Sequence, residues 1–119
     1  MVKTRDRKSS LRRKIPSNYK VSEDTLNRAY NEIQSDTKDT LRILNAVSHP
    51  TRLRILRALK VKELCVCVFV ALMRERYSKL SYHLKLLKRA GLIDSQKNKN
   101  FLAYRLTNLG KRVLESIGA

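Results

Sequence analysis

Ser78-Lys79-Leu80-Ser81-Tyr82-His83-Leu84-Lys85-Leu86-Leu87 is the stretch whose reading decides the fold. Leu80, Leu84 and Leu87 recur at spacings of four and three, so on a helix they share one face, with Leu86 beside it. Ser78, Lys79, Ser81, Tyr82 and Lys85 fall on the other faces. Such a helix buries one side and presents a polar, basic one. Gly91 ends it, because glycine takes the left-handed conformation found just past helix C-termini. Beyond it, Leu92 to Gln96 and Phe101 to Leu106 read as strands flanking Lys97-Asn98-Lys99-Asn100, a hairpin with a basic polar tip.

Working upstream, Arg74-Glu75-Arg76 reads as a turn. Before it a helix from about Lys62 to Met73 is nearly all apolar after its first residues, which predicts burial under several neighbours. His49-Pro50 starts another helix, since proline at the first helical position gives up no needed hydrogen bond, and Leu53, Ile55, Leu56 and Leu59 supply its apolar side. Leu41, Ile43, Leu44 and Val47 mark an amphipathic segment, either separate from or continuous with an earlier one bearing Leu26, Tyr30 and Ile33, capped by Ser22. Thr107 caps a last helix carrying Leu109, Val113, Leu114 and Ile117. Helix, helix, turn, polar-faced helix and hairpin is the order of a winged helix-turn-helix, a mainly α fold with a small β-hairpin. Tyr30, Phe69, Phe101 and Tyr104 fall where core or dimer contacts are expected.

The chain of 119 residues is long enough for one compact core. Residues 21–119 are expected to form the winged domain. Residues 1–20 carry eight basic side chains against the single acid Asp6 and read as a flexible basic arm that tracks phosphates or merely solubilises. The formal net charge of +17 makes a polyanion the expected partner, with double-stranded DNA the first choice and a membrane surface disfavoured. No apolar run approaches a bilayer span and the start has no secretion-signal pattern, so a soluble, cytoplasmic protein is expected. No phosphate-binding glycine loop, catalytic carboxylate pair or nucleophile and base suggests an enzyme.

For DNA contact the candidates are Tyr77, Ser78, Lys79, Ser81, Tyr82, His83 and Lys85 on the polar helix and Lys97, Asn98 and Lys99 on the hairpin. Within this set His83 reads as a structural or phosphate contact, and Lys85, with Lys88 and Arg89, as a phosphate neighbour or solvated charge. His49 is most simply a helix-start residue.

Five segments in order, Ser48-His49-Pro50-Thr51-Arg52-Leu53-Arg54-Ile55-Leu56, Glu63-Leu64-Cys65-Val66-Cys67, Ser81-Tyr82-His83-Leu84-Lys85-Leu86-Leu87, Ala90-Gly91-Leu92-Ile93 and Tyr104-Arg105-Leu106, resemble the ArsR/SmtB family of transcriptional repressors. The resemblance covers about residues 41 to 107. It implies a homodimer joined through its first and last helices, a sequence-specific repressor whose effector lowers operator affinity. It also implies that Cys65 and Cys67 match the thiolate ligands of the family's metal sensors. The third cysteine of the arsenite type would fall at Val70, no N-terminal cysteine is present, and the start of the last helix, Thr107-Asn108-Leu109-Gly110, has no His, Asp or Glu cluster for zinc.

Read from chemistry, side chains two apart on a helix point roughly 200° from each other, so the two sulfurs should neither share an ion nor form an internal disulfide without local unwinding. The sequence assigns no cofactor. A thiophilic metal or metalloid ion, or an oxidant, suits two cysteines better than four-coordinate zinc does. The alternative is a winged-helix or architectural DNA-binding protein without a ligand, its cysteines being core packing.

Overall fold

A computed structural model describes residues 13–119. Those residues fall into two units that divide between Asp36 and Thr37. The start of the expected basic arm lies outside the described residues.

In the first unit, helix α1 spans Glu23–Gln34. Ser22 starts it with an extended backbone, its Oγ accepting the Thr25 N–H at 3.1 Å, and Glu23 and Asp24 place negative charge at the positive end of the helix dipole. Of the expected apolar stripe only Tyr30 is buried, while Ile33 is exposed. The helix ends at Ser35, whose N–H donates to the Glu32 carbonyl, so it does not run into the next one.

The second unit begins with α2 (Lys38–Val47) and α3 (Pro50–Leu59), separated by Ser48-His49. Pro50 opens α3 as the sequence predicts, and the His49 Nδ1 accepts the Thr51 N–H at 3.1 Å. A two-residue strand β1 (Leu64–Cys65) leads into α4 (Val66–Met73), then Arg74 takes a left-handed φ of 54° and the chain turns into α5 (Tyr77–Arg89). Strands β2 (Ile93–Asn98) and β3 (Phe101–Leu106) form the wing, and α6 (Asn108–Ser116) follows. The sheet has three antiparallel strands in the order β1-β3-β2, one more than the expected hairpin, because Leu64 and Cys65 pair with Tyr104 and Ala103.

One core holds this unit: Ile55, Leu56 and Leu59 from α3, Phe69 from α4, the Leu80, Leu84, Leu87 stripe of α5, then Leu92, Ile93, Leu106 and Leu114. The stripe that decided the fold is buried throughout. Gly91 follows α5 with φ 78°, and the Leu92 N–H reaches back to the Leu87 carbonyl at 3.1 Å, the closure that a glycine past a helix end permits. Thr107 caps α6 by accepting the Gly110 N–H at 3.0 Å and donates its hydroxyl proton to the Gly91 carbonyl at 2.6 Å, tying the end of the wing to the end of α5.

One expectation is corrected and two are narrowed. The apolar segment after Lys62 is not a deeply buried helix: its helix starts only at Val66, Phe69 alone is buried on it, and Leu72 is exposed, because a helix of eight residues touches its neighbours on one side only. Of the core or dimer contact expected for Phe101, the core is excluded within this chain, since it stands 56% exposed at the wing tip. Leu41 and Leu44 of α2 are likewise exposed, leaving Ala46 as its buried residue. No helix among the described residues is long and apolar enough to cross a membrane.

Candidate nucleic-acid interface and thiol pair

The 3.6-residue period that buries the leucines of α5 turns the rest of the helix outward. Tyr77 is 61% and Tyr82 58% exposed, Ser78, Lys79 and Lys85 are exposed, and Ser81 is half-buried. Arg76 precedes the helix with an extended backbone and no side chain caps its first turn, so the amide end of the helix dipole stands open beside this face. Lys79 is partly neutralised by Glu75, 3.1 Å from its Nζ. Lys88 donates to the Ser95 Oγ at 2.6 Å, joining α5 to the wing. Along the wing, Lys97 and Asn98 are the last residues of β2, and the loop proper is Lys99-Asn100 rather than the four residues expected. All four are exposed, and Lys99 holds a left-handed φ of 57°.

His83 stands apart from this set. It is 4% exposed and faces inward, because it shares the face of Leu80, Leu84 and Leu87. Of the structural role and the phosphate contact expected of it, this burial favours the structural one: its partner is Arg52, which is 7% exposed. The guanidinium of Arg52 donates to the Ala46 carbonyl at 2.7 Å, to the Asn45 carbonyl at 3.2 Å and, through Nη1, to the His83 Nδ1 at 3.1 Å. Since a guanidinium only donates, His83 must be neutral at Nδ1. Burial, then the neighbouring His49 and Arg52, hold it below its ordinary pKa. The His49 ring lies 4.5 Å from the His83 ring. This set ties the end of α2, the start of α3 and the middle of α5 together. Sequence reasoning missed Arg52, although it stands three, four and seven residues before the buried Ile55, Leu56 and Leu59 and so on their face.

The thiol pair differs most from expectation. Cys65 is not inside a helix: it is the last residue of β1 and the N-cap of α4, with φ −76° and ψ 152°. The extended backbone at that residue removes the roughly 200° divergence that a helix would impose. Its Sγ accepts the Cys67 N–H at 3.3 Å and the Cys67 thiol at 2.7 Å. That thiol bond pushes the Cys67 pKa up. Burial raises the Tyr104 pKa, with Tyr77 and Cys65 adding to it, and Tyr104 pairs across the sheet with Leu64, the residue before Cys65. Cys67 is exposed and Cys65 half-buried, which disfavours reading both as core packing.

The pair alone does not build a metal site. No group of three or more His, Cys, Asp or Glu that could hold a metal occurs among the described residues. Two thiolates on one tetrahedral zinc, at about 2.3 Å each, would stand roughly 3.8 Å apart, so these sulfurs would have to open by about 1 Å and still supply only half the ligands.

Residues 49–95 match the pattern of the family described as "Bacterial regulatory protein, arsR family". The chain is 32% identical over 91 residues to the cadmium resistance transcriptional regulatory protein CadC of Listeria innocua, a match covering 75% of this chain and 76% of that protein. The chain belongs to the ArsR family of transcriptional regulators. Among solved structures, HlyU from Vibrio cholerae superposes on this ArsR-family chain with a TM-score of 0.64 at 28% identity, over 71% of this chain and 92% of HlyU. The homodimeric winged helix-turn-helix DNA-binding domain of a possible ArsR-family regulator from Mycobacterium bovis does so with a TM-score of 0.64 at 24% identity, over 71% and 84%, which shows the fold. An ArsR-family member with this fold is a DNA-binding regulator of transcription and not an enzyme.

Proposed function

We propose that this ArsR-family chain is a sequence-specific repressor that binds double-stranded DNA as a homodimer and takes an input at Cys65 and Cys67. The observation that carries the DNA-reading assignment is the outward face of α5, where Tyr77, Ser78, Lys79, Tyr82 and Lys85 are exposed in front of an uncapped helix start. A helix of this kind fits the major groove, its N-terminal residues meeting base edges, while Lys97, Asn98 and Lys99 of the wing lie along the backbone. Exposed Leu41 and Leu44 on α2 and Ile117 just past α6 supply apolar surface of the kind that a second copy covers.

The input reading rests on accessible, adjacent sulfurs next to the segment that leads into α5. CadC is a cadmium resistance regulator by name, yet this chain has only two cysteines, so a soft ion content with few thiolates, or an oxidant, suits it better than a closed four-sulfur shell. Titration of operator and random duplexes across salt tests the DNA assignment. A specific site should bind at least about 1,000-fold tighter than random sequence. Equal affinities would favour a non-specific architectural role. Cys65→Ser with Cys67→Ser should keep the affinity and lose release by cadmium or peroxide; persistent release in that variant refutes the thiol input.

A further inference from the structure

We propose that Cys65 and Cys67 close into a reversible disulfide within one chain when the protein meets a two-electron oxidant such as hydrogen peroxide. This deepens the thiol-input reading by naming its chemistry, and the bond itself can be tested apart from that reading. The sulfurs are 2.7 Å apart with both cysteines free, and a disulfide needs about 2.05 Å. Residues two apart along a chain stay within about 7 Å between Cα atoms, close to the separations that disulfides span. Little movement is required.

The roles of the two sulfurs follow from their hydrogen bonds. Cys65 accepts from both the Cys67 thiol and the Cys67 N–H in the first turn of α4, so negative charge on the Cys65 sulfur finds two donors already in place. Cys67, the donor and the more exposed of the two, keeps its proton until the second step. In the first step the Cys65 thiolate attacks one peroxide oxygen and the O–O bond breaks, giving a sulfenic acid and hydroxide. In the second the Cys67 sulfur attacks the Cys65 sulfur, the S–O bond breaks, and the Cys67 proton leaves with the departing oxygen as water. Together the two thiols lose two electrons and two protons, and one peroxide becomes two waters.

The bond would form at a junction. Cys65 pairs with Ala103 of the wing strand β3 and caps α4, which packs against α5. Exchanging a rotatable thiol contact for a disulfide with a fixed torsion near 90° stiffens the point where wing and recognition helix meet.

The test treats the reduced full-length protein and its Cys67→Ser variant with hydrogen peroxide, alkylates the remaining thiols under denaturing conditions, and weighs the tryptic peptide Glu63–Arg74, which carries both cysteines. The expected result is a peptide lighter by about 2 Da that takes up no alkylating agent and regains both thiols with dithiothreitol, while Cys67→Ser stops at a sulfenic acid trapped by dimedone. Thiols that stay alkylatable, chains cross-linked to one another, or direct passage to sulfinic acid would overturn the proposal. Parallel DNA titrations separate the two ideas. A disulfide that forms without changing DNA affinity upholds the bond and sinks oxidation as an input, whereas release by cadmium with no disulfide under peroxide upholds the input and sinks the bond.

Discussion

Arg52→Met offers the sharpest view of how α5 is held. Methionine keeps much of the apolar stem and removes the guanidinium. The Ala46 carbonyl then loses its 2.7 Å bond and the His83 Nδ1 its 3.1 Å bond, whereas the Asn45 carbonyl retains the Ser48 N–H at 3.2 Å. Two acceptors left short inside the fold cost about 1–3 kcal/mol each, and relief of the buried positive charge returns part of that, leaving a net loss of about 2–4 kcal/mol. For a domain of this size that lowers Tm by roughly 8–16 °C. The assay is thermal and urea unfolding followed by circular dichroism at one fixed chain concentration, because association shifts apparent stability. A cycle with His83→Leu should show the two changes coupled by about 1–2 kcal/mol. A loss under about 0.5 kcal/mol, or additive single and double variants, would refute the claim that this contact fastens α5 to α2.

The same cluster predicts a pH dependence. Because His83 sits below its ordinary value of 6.5 in the folded chain, the unfolded chain binds the extra proton first. Its contribution is therefore complete above pH 6.5 and is lost as the pH falls below that value toward the folded pKa. His83→Gln should flatten this part of the stability profile, and an unchanged profile would remove His83 as its source. Gly110→Ala should destabilise by at least about 2 kcal/mol, since a Cβ there would stand 2.1 Å from the Leu92 carbonyl oxygen. Unfolding at wild-type concentrations would contradict the close approach of α6 to that carbonyl. Lys85→Ala and Lys99→Ala should each reduce the slope of log affinity against log salt by about 1 where they meet a phosphate, with stability unchanged; an unaltered slope would take that residue out of the interface.

The leucine period of α5, the proline that opens α3, the Gly91 stop and the Thr107 cap were legible because each is a local signal with a local cause. The thiol geometry was not. Whether Cys65 is helical depends on pairing with Ala103, thirty-eight positions away along the chain, and that pairing ends the strand just where α4 begins. His83 carried the same ambiguity: it lies on a helix with both a polar and an apolar face, and only its contact with Arg52, thirty-one residues earlier, decides which one it joins. Exposure of Leu41 and Leu44 was equally hidden, because periodicity marks an apolar face without saying what covers it. Gly110 gave no sign at all, a glycine within a helical pattern being explicable only by the backbone it approaches.

The central claim, that the outer face of α5 enters DNA, is tested most directly by hydroxyl-radical footprinting of side chains read by mass spectrometry, with and without operator duplex. Tyr77 and Tyr82, now 61% and 58% exposed, should lose most of their labelling when DNA is bound, and Phe101 at the wing tip should be protected in part. If both tyrosines label equally in free and bound protein, while the complex is intact, this face does not read the duplex.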